Sequence, residues 1–167
     1  TADAVARRAA VLPRDADAPM LRCAAVRRAP WAADLAGRRL GEFELVEPIG
    51  QGSFGVVFRA EQSLLQREAV VKVARAPGTD AAANRAVSRF LAEARLASRI
   101  DHPFAAHIYA FGAEADGILW IAMELVRGTP LDRLLEEQGP MPIERAIPFV
   151  RRLCEVLHAA HEQGIVH

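Results

Sequence analysis

From residue 43 onward the chain changes between two rhythms. Short apolar runs, separated by turn residues, come first, and longer runs with helical spacing follow. Phe43, Leu45 and Ile49 lead into Gly50-Gln51-Gly52-Ser53-Phe54-Gly55, and Val56-Val57-Phe58-Arg59-Ala60 comes next. Two β-prone runs around a glycine-rich turn predict a hairpin. A third run, Ala69-Val70-Val71-Lys72-Val73, is apolar and β-branched except for its lysine. Asp80 to Ile100 reads as a helix, with Ala86, Phe90, Ala94 and Ala97 at helical spacing and Asp101-His102-Pro103 ending it. Strands are expected at Ala106–Phe111 and Ile118–Val126, joined by a turn at Ala115-Asp116-Gly117. After Arg127-Gly128-Thr129-Pro130, a short helix is expected over Leu131–Gln138. A longer one is expected over 143–163, with Ala146, Phe149, Val150, Leu153, Leu157 and Ala160 on one face and Pro148 kinking its beginning. The order is three strands, a helix, two strands and then helices, with no internal repeat.

Composition separates this part from what precedes it. The 167 residues carry 21 basic and 21 acidic side chains. That zero is a cancellation: residues 1–40 hold a net charge of +4 and residues 41–167 a net charge of −4. Residues 1–42 are expected to form an Ala/Arg-rich arm or linker. Pro13, Pro19 and Pro30 limit its helices to short pieces, around Val5–Leu12 and Ala32–Leu40. The arm has too few large apolar residues to bury much surface of its own, and no run of aromatics interleaves with its arginines as a nucleic-acid stacking surface needs. No nucleic-acid partner and no membrane contact are therefore expected within this chain. No stretch of about 18 uncharged apolar residues exists to span a bilayer. The two cysteines, Cys23 and Cys154, make no disulfide framework, which fits a reduced, cytoplasmic setting. No metal-ligating set is expected among the histidines. One further asymmetry stands out: 20 of the 21 basic residues are arginine, and Lys72 is the single lysine.

Gly50-x-Gly52-x-x-Gly55 by itself leaves several readings open. A dinucleotide-binding turn of this spacing opens a helix, whereas Val56-Val57-Phe58 are strand formers. A Walker A loop needs Gly-Lys-Ser/Thr, which is absent. A plain glycine hairpin with no ligand remains possible on the loop alone.

The loop is accompanied by other motifs. Lys72 follows Gly55 by 17 positions in Ala69-Val70-Val71-Lys72, and Glu93 follows Lys72 by 21. His102-Pro103, Met123-Glu124-Leu125-Val126 and the closing Leu157–His167 stretch complete the set. Together, over residues 43–167, these resemble the protein kinase signature, and most of all bacterial serine/threonine kinases of the eukaryotic type. The resemblance implies an α+β fold. A small lobe over 43–126, with a five-stranded antiparallel sheet and one helix, would be followed over 127–167 by the hinge and the first helices of a helical large lobe.

The resemblance also assigns roles. ATP with Mg2+ is the implied cofactor, and a protein bearing Ser or Thr the implied substrate. Gly50, Gln51, Gly52, Ser53, Phe54 and Gly55 would cover the phosphates. Lys72 would contact them and pair with Glu93. A compact ammonium suits that clamp better than a forked guanidinium, which accords with one lysine surviving in an arginine-rich chain. The adenine would lie beneath Ile49, Val57 and Val70 with Met123 behind it. The backbone C=O of Glu124 and N–H of Val126 would bond its edge, giving their side chains little weight. Ala97 would pack on Ile108.

The resemblance puts the catalytic Asp, the metal-binding Asn and the Asp-Phe-Gly motif after His167, so the metal ligands are expected outside this stretch. An active kinase parent with an inactive fragment is the leading reading, and the apolar faces of the last two helices, Leu153 and Leu157 among them, are expected to be exposed. A non-catalytic nucleotide-binding pseudokinase or scaffold is the alternative. The family usually has alanine where this chain has Val70, and two extra methyls narrow the pocket roof. Val70→Ala is therefore expected to tighten ATP binding; a calorimetric titration showing equal or weaker affinity would rule out a crowded roof.

Overall fold

The computed structural model describes residues 30–52, 55–76 and 81–165; the expected Val5–Leu12 helix lies outside them, as do Ser53 and Phe54. Six strands form one sheet: β1 (Arg39–Leu40), β2 (Phe43–Gly52), β3 (Gly55–Gln62), β4 (Arg67–Arg75), β5 (Ile108–Ala113) and β6 (Ile118–Glu124). Their order is β1-β2-β3-β4-β6-β5, and every neighbouring pair is antiparallel. Helix α1 (Ala81–Ala97) joins β4 to β5 and lies mainly against β5. Helices α2 (Leu131–Gln138) and α3 (Ile143–Glu162) follow the sheet, and short 3-10 turns occupy Pro30–Leu35 and Ser63–Leu65.

Pleating decides what each strand buries, because successive side chains point to opposite faces. On β3, Val56, Phe58, Ala60 and Gln62 are buried while the residues between them are not. On β4 the buried set is Ala69, Val71 and Val73. These side chains meet Phe43, Leu45, Ile118, Trp120 and Ala122 in one apolar core. Gln62 is the buried polar member, and its amide is satisfied at both ends. It donates to Glu42 at 2.6 Å and accepts from Arg67 Nε at 2.6 Å.

The sheet curls until its two edges approach each other. Trp120 on β6 stacks at a tilt on Phe43 of β2, with ring centroids 6.3 Å apart. Its indole N–H donates to Glu114 at 2.8 Å. A Cβ on Gly41 would lie 2.9 Å from the Trp120 ring and one on Gly112 would lie 2.8 Å from it, so both positions exclude a side chain.

Two expectations change here. The sheet has six strands where five are expected, and the sixth comes from residues assigned to the arm. Ala32, Leu35 and Leu40 belong to the core, with Trp31 packed against it. Gly37 N–H donates to Leu45 C=O at 2.7 Å, and Leu45 N–H donates to Arg38 C=O at 2.9 Å. The Arg38 guanidinium grips Asp116, in the β5–β6 turn, through two hydrogen bonds of 2.6 and 3.1 Å. Those bonds hold the Asp116 carboxyl below its usual range and raise the Arg38 pKa. Segment 30–42 is thus a clasp across the curled sheet. Its apolar residues are few, but they are completed by a core that the rest of the chain builds.

The short helix expected around Ala32–Leu40 gives way to a 3-10 turn over Pro30–Leu35 and strand β1, and the other elements fall close to expectation. α1 forms because an alanine-rich run favours the helix, and it frays through Ser98–Ile100 before Pro103. β5 starts two residues later than expected, because Ala105 N–H is taken by His102 C=O in a turn. It runs on to Ala113, opposite Leu119. Pro148 lies inside α3 without ending it. Ile147, Val150 and Leu153 on α3 are exposed as expected of the last helices, whereas Leu157 is half-buried and Ala160 buried.

Leu40 is fully buried. Leu40→Ala is expected to lower unfolding stability by about 2–5 kcal/mol; a urea titration showing a loss below about 0.5 kcal/mol would mean that the clasp does not belong to the core.

Candidate functional site

Residues directly opposite one another in an antiparallel ladder share a face. Gly50, Val57, Lys72, Ile121 and Phe111 are successive partners across β2, β3, β4, β6 and β5. The adjacent row on the same face is Glu47, Arg59, Val70, Met123 and Ile108. Val57, Val70, Lys72 and Met123 are all half-buried, on the side of the sheet opposite the core residues. The sequence-derived roof residues Val57 and Val70, the back residue Met123 and the phosphate lysine are therefore brought onto one surface. Ile49, at the end of β2 before the glycine turn, is half-buried, and Gln51 is exposed.

The glycine turn is tied to Lys72 through Gly55. Gly55 has φ +131°, and a Cβ there would stand 2.1 Å from the carbonyl oxygen of Val73. The β3 backbone thus lies hard against β4 beside Lys72, where only glycine fits. Gly50 is different: a Cβ would meet nothing nearer than Val57 Cβ at 3.9 Å. Space alone does not demand glycine at that position.

Lys72 and Glu93 stand on separate elements. Glu93 lies on α1, exposed, one position before the buried Ala94. Among the described residues, no ion pair joins Lys72 to Glu93. Ala97 and Ile108 are both half-buried where α1 lies along β5. No group of three or more His, Cys, Asp or Glu among the described residues is placed to hold a metal ion.

Glu124 closes β6 and leads into the strand-to-helix linker. Its side chain has more to do than its expected backbone role implies. Glu124 N–H donates to His107 C=O at 2.8 Å, and the Glu124 carboxylate accepts from His107 N–H at 3.3 Å. Val126 is 67% exposed, with its side chain turned to solvent.

Five charged residues beside this surface escaped the sequence reading. Arg59 contacts Glu47 at 3.0 Å, Glu68 at 3.4 Å and Glu61 at 3.7 Å, and Glu68 also pairs with Arg127. Parity along β3 puts Arg59 on the face of Val57. Its partners depend on cross-strand register, which a single strand does not display.

Residues 43–167 match the protein kinase domain, and the chain belongs to that family. The sheet with α1 is accordingly the small lobe, and α2 and α3 are the first helices of the large lobe. Among curated relatives, the serine/threonine-protein kinase pkn3 of Myxococcus xanthus is 37% identical over 141 residues, covering 84% of this chain and 25% of that protein. The kinase PrkC of Bacillus subtilis is 34% identical over 134 residues, covering 80% and 20%. The solved PknI kinase domain of Mycobacterium tuberculosis superimposes with a TM-score of 0.66 at 26% identity, covering 79% of this chain and 54% of that one. The chain thus spans a quarter or less of these curated relatives and about half of that solved domain. No described helix is long and apolar enough to cross a membrane.

Gly55→Ala is expected to cost about 2–4 kcal/mol, since the new methyl must displace the β4 backbone from a conformation that side chains already disfavour. A denaturant titration in which stability is unchanged would show that the turn relaxes around the substitution.

Proposed function

We propose that this chain carries the ATP-binding part of a protein serine/threonine kinase whose whole form transfers the γ-phosphate of ATP to a Ser or Thr hydroxyl. The observation that carries this reading is the single surface on which Val57, Val70, Lys72 and Met123 meet beside the glycine turn. The adenine ring lies against the apolar row, beneath Ile49, Val57 and Val70 and in front of Met123. Its edge bonds the Glu124 carbonyl and the Val126 N–H. The backbone of residues 50–55, Ser53 and Phe54 included, covers the phosphates.

Lys72 holds two phosphate oxygens as a compact point charge. Glu93 turns in to pair with it, which fixes the ammonium and stops it from drifting with the nucleotide. Positioning and charge neutralisation are the main protein contributions to phosphoryl transfer, since the transition state spreads its charge over peripheral oxygens. Mg2+, when bound with ATP, supplies further neutralisation of those oxygens. Its protein ligands are proposed to follow residue 167 in the whole kinase. ATP as co-substrate and the free thiol of Cys154 suit a cytoplasmic setting.

The test is nucleotide binding by the 167-residue chain. Lys72→Met removes a charged donor worth about 1.5–3 kcal/mol to a phosphate, so ATP affinity is expected to fall roughly 10- to 100-fold with the circular dichroism spectrum unchanged. Full affinity in the variant would overturn the role assigned to Lys72.

A further inference from the structure

We propose that Glu68 and Arg127, together with the His107–Glu124 pair, brace the linker from both ends and act as positioning residues for the backbone that reads the adenine edge. The inference rests on the ATP-site reading above for its consequence, but on separate observations for the brace.

Beyond the half-buried Leu125, packing holds little of this linker. Val126 is 67% exposed and the Arg127 side chain 79% exposed. Polar contacts grip it instead, one at each end. At the β6 end, Glu124 is held twice by His107, through its own N–H at 2.8 Å and through its carboxylate at 3.3 Å. At the far end, the Arg127 guanidinium donates to the Glu68 carboxylate.

The second grip is anchored in the sheet. Glu68 also takes Arg59 at 3.4 Å, and Arg59 takes Glu47 at 3.0 Å and Glu61 at 3.7 Å. The Arg59 side chain is only 18% exposed, so its pairs are screened less than open surface pairs. An isolated exposed pair contributes little, whereas a network on a partly buried arginine resists breaking at any single point. The charges run from β2 through β3 and β4 to the linker, and Arg59 sits directly opposite Val70 in the ladder. The network therefore joins the strands that carry the pocket roof to the segment that carries the adenine-bonding backbone. The gap between roof and linker, which an adenine ring must fit, is set by this row of charges.

Backbone hydrogen exchange of residues 124–128, measured on the 167-residue chain beside an ATP titration, tests the proposal. Glu68→Gln and Arg127→Gln are each expected to speed exchange in the linker about two- to fivefold and to weaken ATP binding by a similar factor, with little change in melting temperature. The double variant is expected to go no further than the larger single effect, because Arg127→Gln removes an interaction that Glu68→Gln has already removed. Salt at about 0.5 M is expected to loosen the linker of the unsubstituted chain and leave that of Arg127→Gln as it was. Unchanged linker exchange in the single variants, or strictly additive effects in the double, would overturn the brace. If the unsubstituted chain binds ATP while the variants alter neither exchange nor affinity, the brace fails and the ATP site stands. If exchange follows the expected pattern but no ATP binds, the ATP-site reading fails and the brace stands as a device for holding the linker.

Discussion

The indole of Trp120 closes the small lobe. Its ring occupies space that two neighbours leave open by having no side chain, Gly41 before β2 and Gly112 on β5. It stacks on Phe43, and its N–H is satisfied by Glu114. A flat sheet would keep β2 and β6 apart, with β3 and β4 between them. The tilted contact across those strands requires the sheet to curl. Curling gives the core its enclosed volume, lets Arg38 reach Asp116, and turns the opposite face into the surface on which Lys72, Val57, Val70 and Met123 are gathered. The candidate site is the outer consequence of an inner packing contact.

That face works through parity. Along β4 the buried residues are Ala69, Val71 and Val73, and the alternate ones are Glu68, Val70 and Lys72. A one-residue slip would bury the lysine and expose the core. Gly55 guards against such a slip, since its close approach to the Val73 carbonyl fits a single register. The same glycine that shapes the turn therefore also locks the strand that carries Lys72.

Much of this was legible in the chain, and the remainder for physical reasons was not. Helix α2 coincides with its expected span, and α3 and α1 differ by one to a few residues at their ends, because long periodic segments carry their own signal. The Val57, Val70 and Lys72 surface was approachable because parity within a strand can be read from one sequence. Strand β1 was not: Arg39–Leu40 is two residues long, too short to show alternation, and it exists only because β2 offers an edge. The charge network around Arg59 was hidden for a related reason. It joins positions 47, 59, 61, 68 and 127, and nothing but register and a linker's path brings 47 and 68 to Arg59 and 127 to Glu68. The half-buried Leu157 shows the same limit, since spacing gives a helix a face but does not say how far a neighbour covers it.

The clasp separates two meanings of the word domain. The match to the kinase family begins at Phe43. By packing the unit starts a dozen residues earlier, because Ala32, Leu35 and Leu40 are inside the core. A boundary drawn at the start of that match would cut through the hydrophobic interior and leave the Asp116 carboxylate without its guanidinium. The folding unit of this kinase lobe is larger than the span of that match, and the difference is a stretch whose composition alone reads as a tether.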